Sequence, residues 1–390
     1  MFRLPTLVSL LILAAAKVVV SSPCVAFDSN FNLLVFGLDG KDWSAGTQSS
    51  WTNGTATDIT ASGRPSFDGT NTTCYLAQFY NSIYFMNAQS NDTSSVYIYD
   101  AATKSWSTQS VTTGSFSPSD FTAILDHDTN VFYALSGDSL YYLDMGALTA
   151  ANSSALSWVD VEQSPYGASY SNPVMALAQN HVHFLDVPGV SAGEAKIYVI
   201  HYSYFQPTAQ AYPLSNGSTG FPAAHGKTAS FFQSEGVQQE FAFIPDDGSA
   251  TYVINVETNT TAAYAGPTKK DADATYAASI TALVQLDSEG NVIFFPYTED
   301  DASVNAAASW TTVKALASVA PASSSASSTA TASGAHSSGT GTTVSTSGSG
   351  STSTGSASSG SSSSSNGSMA VRISHGLVVA GLMGAVACLL

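Results

Sequence analysis

The chain has 390 residues, with 11 Lys and Arg against 28 Asp and Glu, and a formal net charge of −17 at pH 7. Between its two apolar ends the basic residues are only Lys41, Arg64, Lys104, Lys196, Lys227, Lys269, Lys270 and Lys314. No basic stripe exists to neutralise phosphates, so the sequence excludes a nucleic-acid partner.

Residues 1–22 read as a secretory signal. Arg3 supplies the positive start, Leu7 to Ala16 the apolar core, and Ala14, Ala16, Ser21 and Ser22 the small residues a signal peptidase needs. The chain beyond it is therefore expected to be extracellular. The clearest organised stretch, Phe121 to Asp144, parses as a β-meander. Thr122 to Leu125 and Val131 to Leu135 flank the polar turn Asp126-His127-Asp128-Thr129-Asn130, and Ser136-Gly137-Asp138-Ser139 leads into Leu140 to Asp144. The same pattern can be laid over runs starting at Cys24, Cys74, Pro173, Ser230 and Leu283. The best match pairs Leu125 to Phe132 with Leu286 to Ile293. Turn centres then fall near Ser29, Tyr80, Asp128, Asn180, Gly236 and Glu289, at the spacing of propeller blades, roughly 45 to 55 residues.

Several of these hairpins are followed by a third strand and an aromatic on an outer run. Val96 to Asp100 leads to Trp106, and Leu140 to Asp144 leads to Trp158. On these residues the chain resembles a kelch-type β-propeller over about residues 24 to 318. The usual double glycine is reduced to Ser136-Gly137 or Phe36-Gly37. The resemblance implies an all-β fold of six blades, with five or seven as alternatives, over residues 23–318. It implies no activity, since propellers host many unrelated functions. The last repeat has two clear strands, then Thr298 to Asp301 and Ser309 to Val313, so its remaining strand is expected to be irregular or supplied by a chain end.

In that repeat alignment Cys24 and Cys74 occupy equivalent positions in adjacent blades, and an exported pair is read as a disulfide. Closing a loop of about 50 residues is worth about 4 kcal/mol in the chain-entropy account. Asn53, Asn71, Asn91, Asn152, Asn216 and Asn259 each stand two before Ser or Thr with no intervening Pro. They are expected to be N-glycosylation sites facing solvent.

Composition changes abruptly after the last repeat. Residues 319–366 are rich in Ser, Thr and Gly and uncharged, which predicts a disordered stalk with a span of about 40 Å for roughly 48 residues. The small residues Asn366-Gly367-Ser368, the spacer to His375 and the apolar run Gly376 to Leu390 resemble a GPI attachment signal, with Asn366 as the attachment residue and 367–390 removed. The apolar run is shorter than a membrane span and has no basic residue after it. Signal, sequons, stalk and anchor in this order resemble a fungal cell-wall or plasma-membrane mannoprotein, attached to the membrane through lipid alone.

Gly189-Val190-Ser191-Ala192-Gly193 has the nucleophile-elbow spacing but lies between two predicted strands, so a hairpin loop is expected. Asp126-x-Asp128-x-Asn130 opens like a calcium loop, yet Val131 and Gly137 stand where Gly and Glu belong, and a turn is expected. His181 and His183 share a strand face without a third ligand in view. A copper radical oxidase needs a free Cys, and of the three cysteines Cys388 lies in the tail expected to be removed while Cys24 and Cys74 are assigned to the disulfide. No catalytic residue, metal or cofactor is therefore expected. The favoured function is a non-catalytic display module that binds cell-wall glycan or extracellular protein. The alternative is a propeller-type glycoside hydrolase or lyase, requiring two carboxylates about 5 to 10 Å apart across the central cleft. Asp126, Asp128, Asp246, Asp247 and Glu289 are available, though in turn contexts. Tyr97, Tyr99, Trp106, Tyr141, Tyr142 and Trp158 are expected to pack between blades.

Overall fold

The computed structural model describes residues 21–320. The signal segment to residue 20, the stalk beyond residue 320 and Asn366 lie outside the described residues. Strands with consecutive antiparallel order form six blades, the fourth extended by the short strand Gln210–Ala211. The six inner strands are Cys24–Phe27, Thr73–Ala77, Thr122–Asp126, Val174–Ala178, Gly226–Ser230 and Thr275–Ala278. Each lies beside the next, and the sixth lies beside the first, so the ring is closed. The chain is a six-bladed β-propeller.

Burial explains why the inner runs do not alternate. A blade packs on neighbours through both its faces, so strands near the axis must be apolar on both sides. Leu33–Leu38 and Val174–Ala178 are accordingly buried at every residue, whereas the outer strand Val159–Gln163, VDVEQ, has none buried. The apolar side chains gather into separate cores wedged between adjacent blades. Between blades one and two, Phe36 contacts Phe67, Phe85, Tyr99 and Trp106. Tyr97, Tyr99, Tyr141 and Trp158 are buried in such wedges, as expected of them.

The sixth blade is built of four consecutive strands, the outer one Thr311–Thr312, so no irregular strand or strand supplied by a chain end is needed. The short helix Lys314–Ala317 then buries Ala315 and Leu316 between blades six and one. Its backbone joins blade one directly: Ala315 N donates to Trp51 O at 3.0 Å, and Ala56 N donates to Ala315 O at 3.0 Å. At the other seam Cys24 and Cys74 form a disulfide between blades one and two, with Cα atoms 6.3 Å apart, inside the usual range.

One register differs from the sequence reading. Leu286 to Ile293 joins the second and third strands of blade six, Ala282–Leu286 and Val292–Pro296, whereas Leu125 to Phe132 joins the first and second of blade three. The first turn of blade six is instead Ser279 to Thr281. The cause is local chemistry. Asp28 Oδ1 accepts from the backbone N of Asn30 and Asn32 at 2.9 Å, and Asp287 Oδ1 accepts from those of Glu289 at 3.0 Å and Asn291 at 2.7 Å. This Asp-to-Asn turn suits any tight hairpin and does not report which end of the blade it closes.

Antiparallel order sorts all connections onto two faces. One, here the turn face, carries the links from first to second and from third to outer strands. The other, the entry face, carries the links from second to third strands and from blade to blade.

Candidate binding face and axial cavity

The large apolar side chains left exposed among the described residues are Phe79, Val159, Tyr202, Tyr204 and Val304. Their topology places all of them on the turn face. Phe79 lies in the first turn of blade two, Tyr202 and Tyr204 in the third-to-outer link of blade four, and Val304 on the helix Ala302–Ala307 of blade six. Val159 opens the outer strand of blade three. Phe79 is 65% exposed and Tyr202 82%, where rings of this size ordinarily sit inside. Acids accompany them: Asp128, Glu235, Glu257, Glu299, Asp300 and Asp301 all belong to turn-face links.

At the centre of this face the longest first turn, between Gly226–Ser230 and Glu240–Pro245, carries Phe232 across the axis. Its ring lies 5.3 Å from His127 of blade three and 5.6 Å from Phe31 of blade one, measured between centroids. Phe79 also stacks on His127, at 6.1 Å. Burial pushes the His127 imidazole below its ordinary pKa, against the pull of Asp128 and Asp126. The loop is anchored by Phe231 stacked on Tyr297 at 4.0 Å, and by Gln233 Nε2 donating to Glu299 Oε1 at 2.6 Å. Beneath it Glu240 accepts from the Tyr297 hydroxyl, and from Asn255 Nδ2 at 2.9 Å. Burial raises this carboxyl above the ordinary glutamate pKa despite those bonds.

Under Phe232 lies a cavity of about 140 Å³ on the propeller axis, walled by the inner strands. Leu76, Leu125, Leu177 and Phe27 line it together with the polar side chains of His127, Gln238 and Tyr276. Most of its polar groups already hold neighbouring strands together. Thr228 Oγ1 donates to Met175 O, Ser230 Oγ to Leu177 O at 2.7 Å, and Tyr75 Oη to Ala123 O at 3.0 Å. Burial pushes the Tyr75 hydroxyl up to about 12.

No Asp or Glu lines the cavity. The carboxylates named from sequence are occupied locally: Asp126 accepts from Asp128 N at 3.3 Å and from Thr129 Oγ1 at 2.6 Å, and Asp247 accepts from Ser249 N at 2.8 Å. Glu289 pairs with Lys269 at 3.2 Å and Asp246 with His225 at 2.7 Å, both on the entry face. The Gly189 to Gly193 run is a hairpin loop between the strands His181–Leu185 and Glu194–Val199. The calcium-like triplet diverges, because Asn130 Nδ2 turns inward to Tyr84 Oη at 2.8 Å and Gly146 O at 2.6 Å. His183 is buried against Tyr212 and Phe241, which lowers its pKa to about 3, and His181 lies beside His201. Among the described residues no three His, Cys, Asp or Glu side chains gather as a metal site.

All six sequon asparagines are exposed. Asn71, Asn91 and Asn216 lie on the entry face. Asn53, Asn152 and Asn259 lie on the turn face in blades one, three and five, while Phe79, Tyr202, Tyr204 and Val304 lie in blades two, four and six.

Sequence reasoning missed the exposed rings and the Phe232 loop. A signal was present in the first turns, where Phe31, Phe79 and Phe232 put aromatics among the polar residues a turn favours. The pair Tyr202-Ser203-Tyr204 has no comparable signature, since alternating tyrosines suit any strand.

No protein-family model matches this chain, and no curated protein does. Among solved structures, one described as "Structure of YjhT" aligns with 10% identity over 76% of this chain and 98% of that chain, at a TM-score of 0.45. It is a weak likeness from which no activity or ligand is carried over.

Proposed function

We propose that this protein is a GPI-anchored cell-surface glycoprotein that displays its propeller as a non-catalytic module for binding wall glycan or extracellular protein. The observation that carries the reading is that the exposed large apolar side chains, spread over four blades, all fall on the turn face. Exposed aromatic rings are costly in water unless a ligand covers them, and they stack well on the C–H faces of sugars or on peptide side chains. The blades that carry these rings on that face have no sequon there, so attached glycans would flank the rings and leave them reachable. The alternative hydrolase or lyase is less well supported, because its two opposed carboxylates are not found in the axial cavity. In this reading the Ser/Thr/Gly-rich segment 319–366 links the propeller to a lipid anchor attached at Asn366.

The test is to express the protein in a secreting host and incubate it with cell-wall polysaccharides, following retention and released sugar together. Retention without new reducing ends is expected. Release abolished by one or two Asp or Glu substitutions would replace this reading with the hydrolase. The anchor is tested separately: phosphatidylinositol-specific phospholipase should free the protein from cells, and unchanged display after Asn366 to Ser368 are replaced by bulky residues would contradict the attachment site.

A further inference from the structure

We propose that His181 and His201 form a two-histidine site for a divalent first-row transition ion, Cu²⁺ in preference, at the turn-face end of the seam between blades four and five. The site does not depend on the turn face binding glycan.

The sequence pairs His181 with His183 on one strand face, and the fold gives His181 a different partner. His183 is buried against Tyr212 and against Phe241 of blade five. His181 opens the strand His181–Leu185 at the turn face and stands opposite Val199. Just past Val199 the chain turns through the short 3-10 helix Ile200–Tyr202 and closes on Ser203 at a φ of 48°. That turn brings His201 to His181, with ring centroids 6.3 Å apart. His127 and His225 each face an aspartate, whereas His181 and His201 face each other.

Two imidazoles sharing an ion hold their nitrogens about 2 Å from it and their ring centres about 1 Å further out, so the centroids stand about 5 to 6.5 Å apart. The observed separation lies inside that range. His181 is half-buried, which limits its motion, while His201 is exposed and can turn its ring toward the same ion. Across the seam Gln179 Nε2 donates to Glu257 Oε2 at 2.6 Å, which holds a carboxylate beside the turn leading into His181. Two imidazoles select against Mg²⁺ and Ca²⁺, which take oxygen ligands, and among divalent first-row ions they hold Cu²⁺ most tightly. No third His, Cys, Asp or Glu gathers with the pair among the described residues, so water completes the coordination.

The chlorides of Cu²⁺ and Zn²⁺ are the probes, titrated by calorimetry into the full-length protein, with electron paramagnetic resonance of the Cu²⁺ complex. One Cu²⁺ per chain is expected, bound more tightly than Zn²⁺, with splitting from two imidazole nitrogens in the spectrum. His201→Ala and His181→Ala should each weaken Cu²⁺ binding by about tenfold or more and reduce that nitrogen count, whereas His225→Ala should change neither. His201 is exposed, so its variant should melt as the wild type does, and it decides alone should His181→Ala not fold. Cu²⁺ binding unchanged in His201→Ala would overturn the proposal. So would a spectrum without imidazole nitrogen, or an affinity no greater for Cu²⁺ than for Zn²⁺.

Discussion

Among the described residues, four of the five ion pairs lie on the entry face, while the exposed large apolar side chains lie on the turn face. Both faces are made of similar Asp-, Asn- and Gly-rich turns, so the contrast comes from side chains and not from backbone. On the entry face, side chains bind one another. The disulfide ties the first two inner strands near their entry-face ends, and Arg64 grips Asp42 through Nε and Nη2 at 2.9 and 2.8 Å. On the turn face Asp128 meets His127, and Glu299 and Glu257 accept from Gln233 and Gln179, while Phe79, Tyr202 and Tyr204 keep much of their ring surface exposed. Bonds between blades occur on both faces, but the ion pairs gather on the entry face and the exposed rings on the turn face.

That division predicts where substitutions cost stability. Asp42 is wholly buried, and burial raises its carboxyl pKa although Arg64 opposes the shift. Arg64→Ala leaves the carboxylate unpaired, and chemical denaturation should register a loss of about 3 to 5 kcal/mol. A loss below ~1 kcal/mol would mean the ion pair does not hold the seam. Replacing both Cys24 and Cys74 with Ala should lower stability by about 4 kcal/mol, with unfolding that no longer responds to reductant.

On the other face the effects should be small. Phe79→Ala, Tyr202→Ala and Tyr204→Ala should each change stability by about 0.5 kcal/mol or less. A thermal shift as large as that of Arg64→Ala would show these rings to be structural, erasing the contrast.

A pH effect sharpens the picture around the Phe232 loop. The Glu240 carboxyl has a raised pKa in the folded protein, so the fold retains a proton that the unfolded chain releases. Its contribution is fully present below the ordinary glutamate value of 4.5 and is lost as pH rises through the raised one. Glu240→Gln should therefore flatten the fall in stability above pH 4.5, measured by unfolding across that range. An unchanged slope would assign the fall to other groups.

Much of the fold was legible because propeller blades repeat local chemistry. The apolar inner runs, the Asp-to-Asn turns and the equivalent positions of Cys24 and Cys74 all follow from nearest-neighbour preferences that the sequence displays directly. The misplaced Leu286 to Ile293 hairpin marks the limit of that reading, since a turn motif says that the chain reverses and not which face it reverses on. The binding face was less legible for a related reason. Whether an aromatic is packed or exposed depends on the neighbouring blade, and Tyr97 and Tyr202 look alike until that blade is in place. The path of Phe232 across the axis requires the whole ring, because the residues it meets come from blades one and three.

The most direct test of the division between faces is to measure retention on a cell-wall fraction for three proteins: wild type, the turn-face variant Phe79→Ala/Tyr202→Ala/Tyr204→Ala, and the entry-face variant Lys227→Ala/Lys269→Ala/Lys270→Ala. Thermal unfolding serves as the control for folding. The turn-face variant should lose tenfold or more in affinity, about 1.4 kcal/mol, at unchanged melting temperature, while the entry-face variant binds as wild type does. Retention by the turn-face variant together with loss in the entry-face variant would contradict the account.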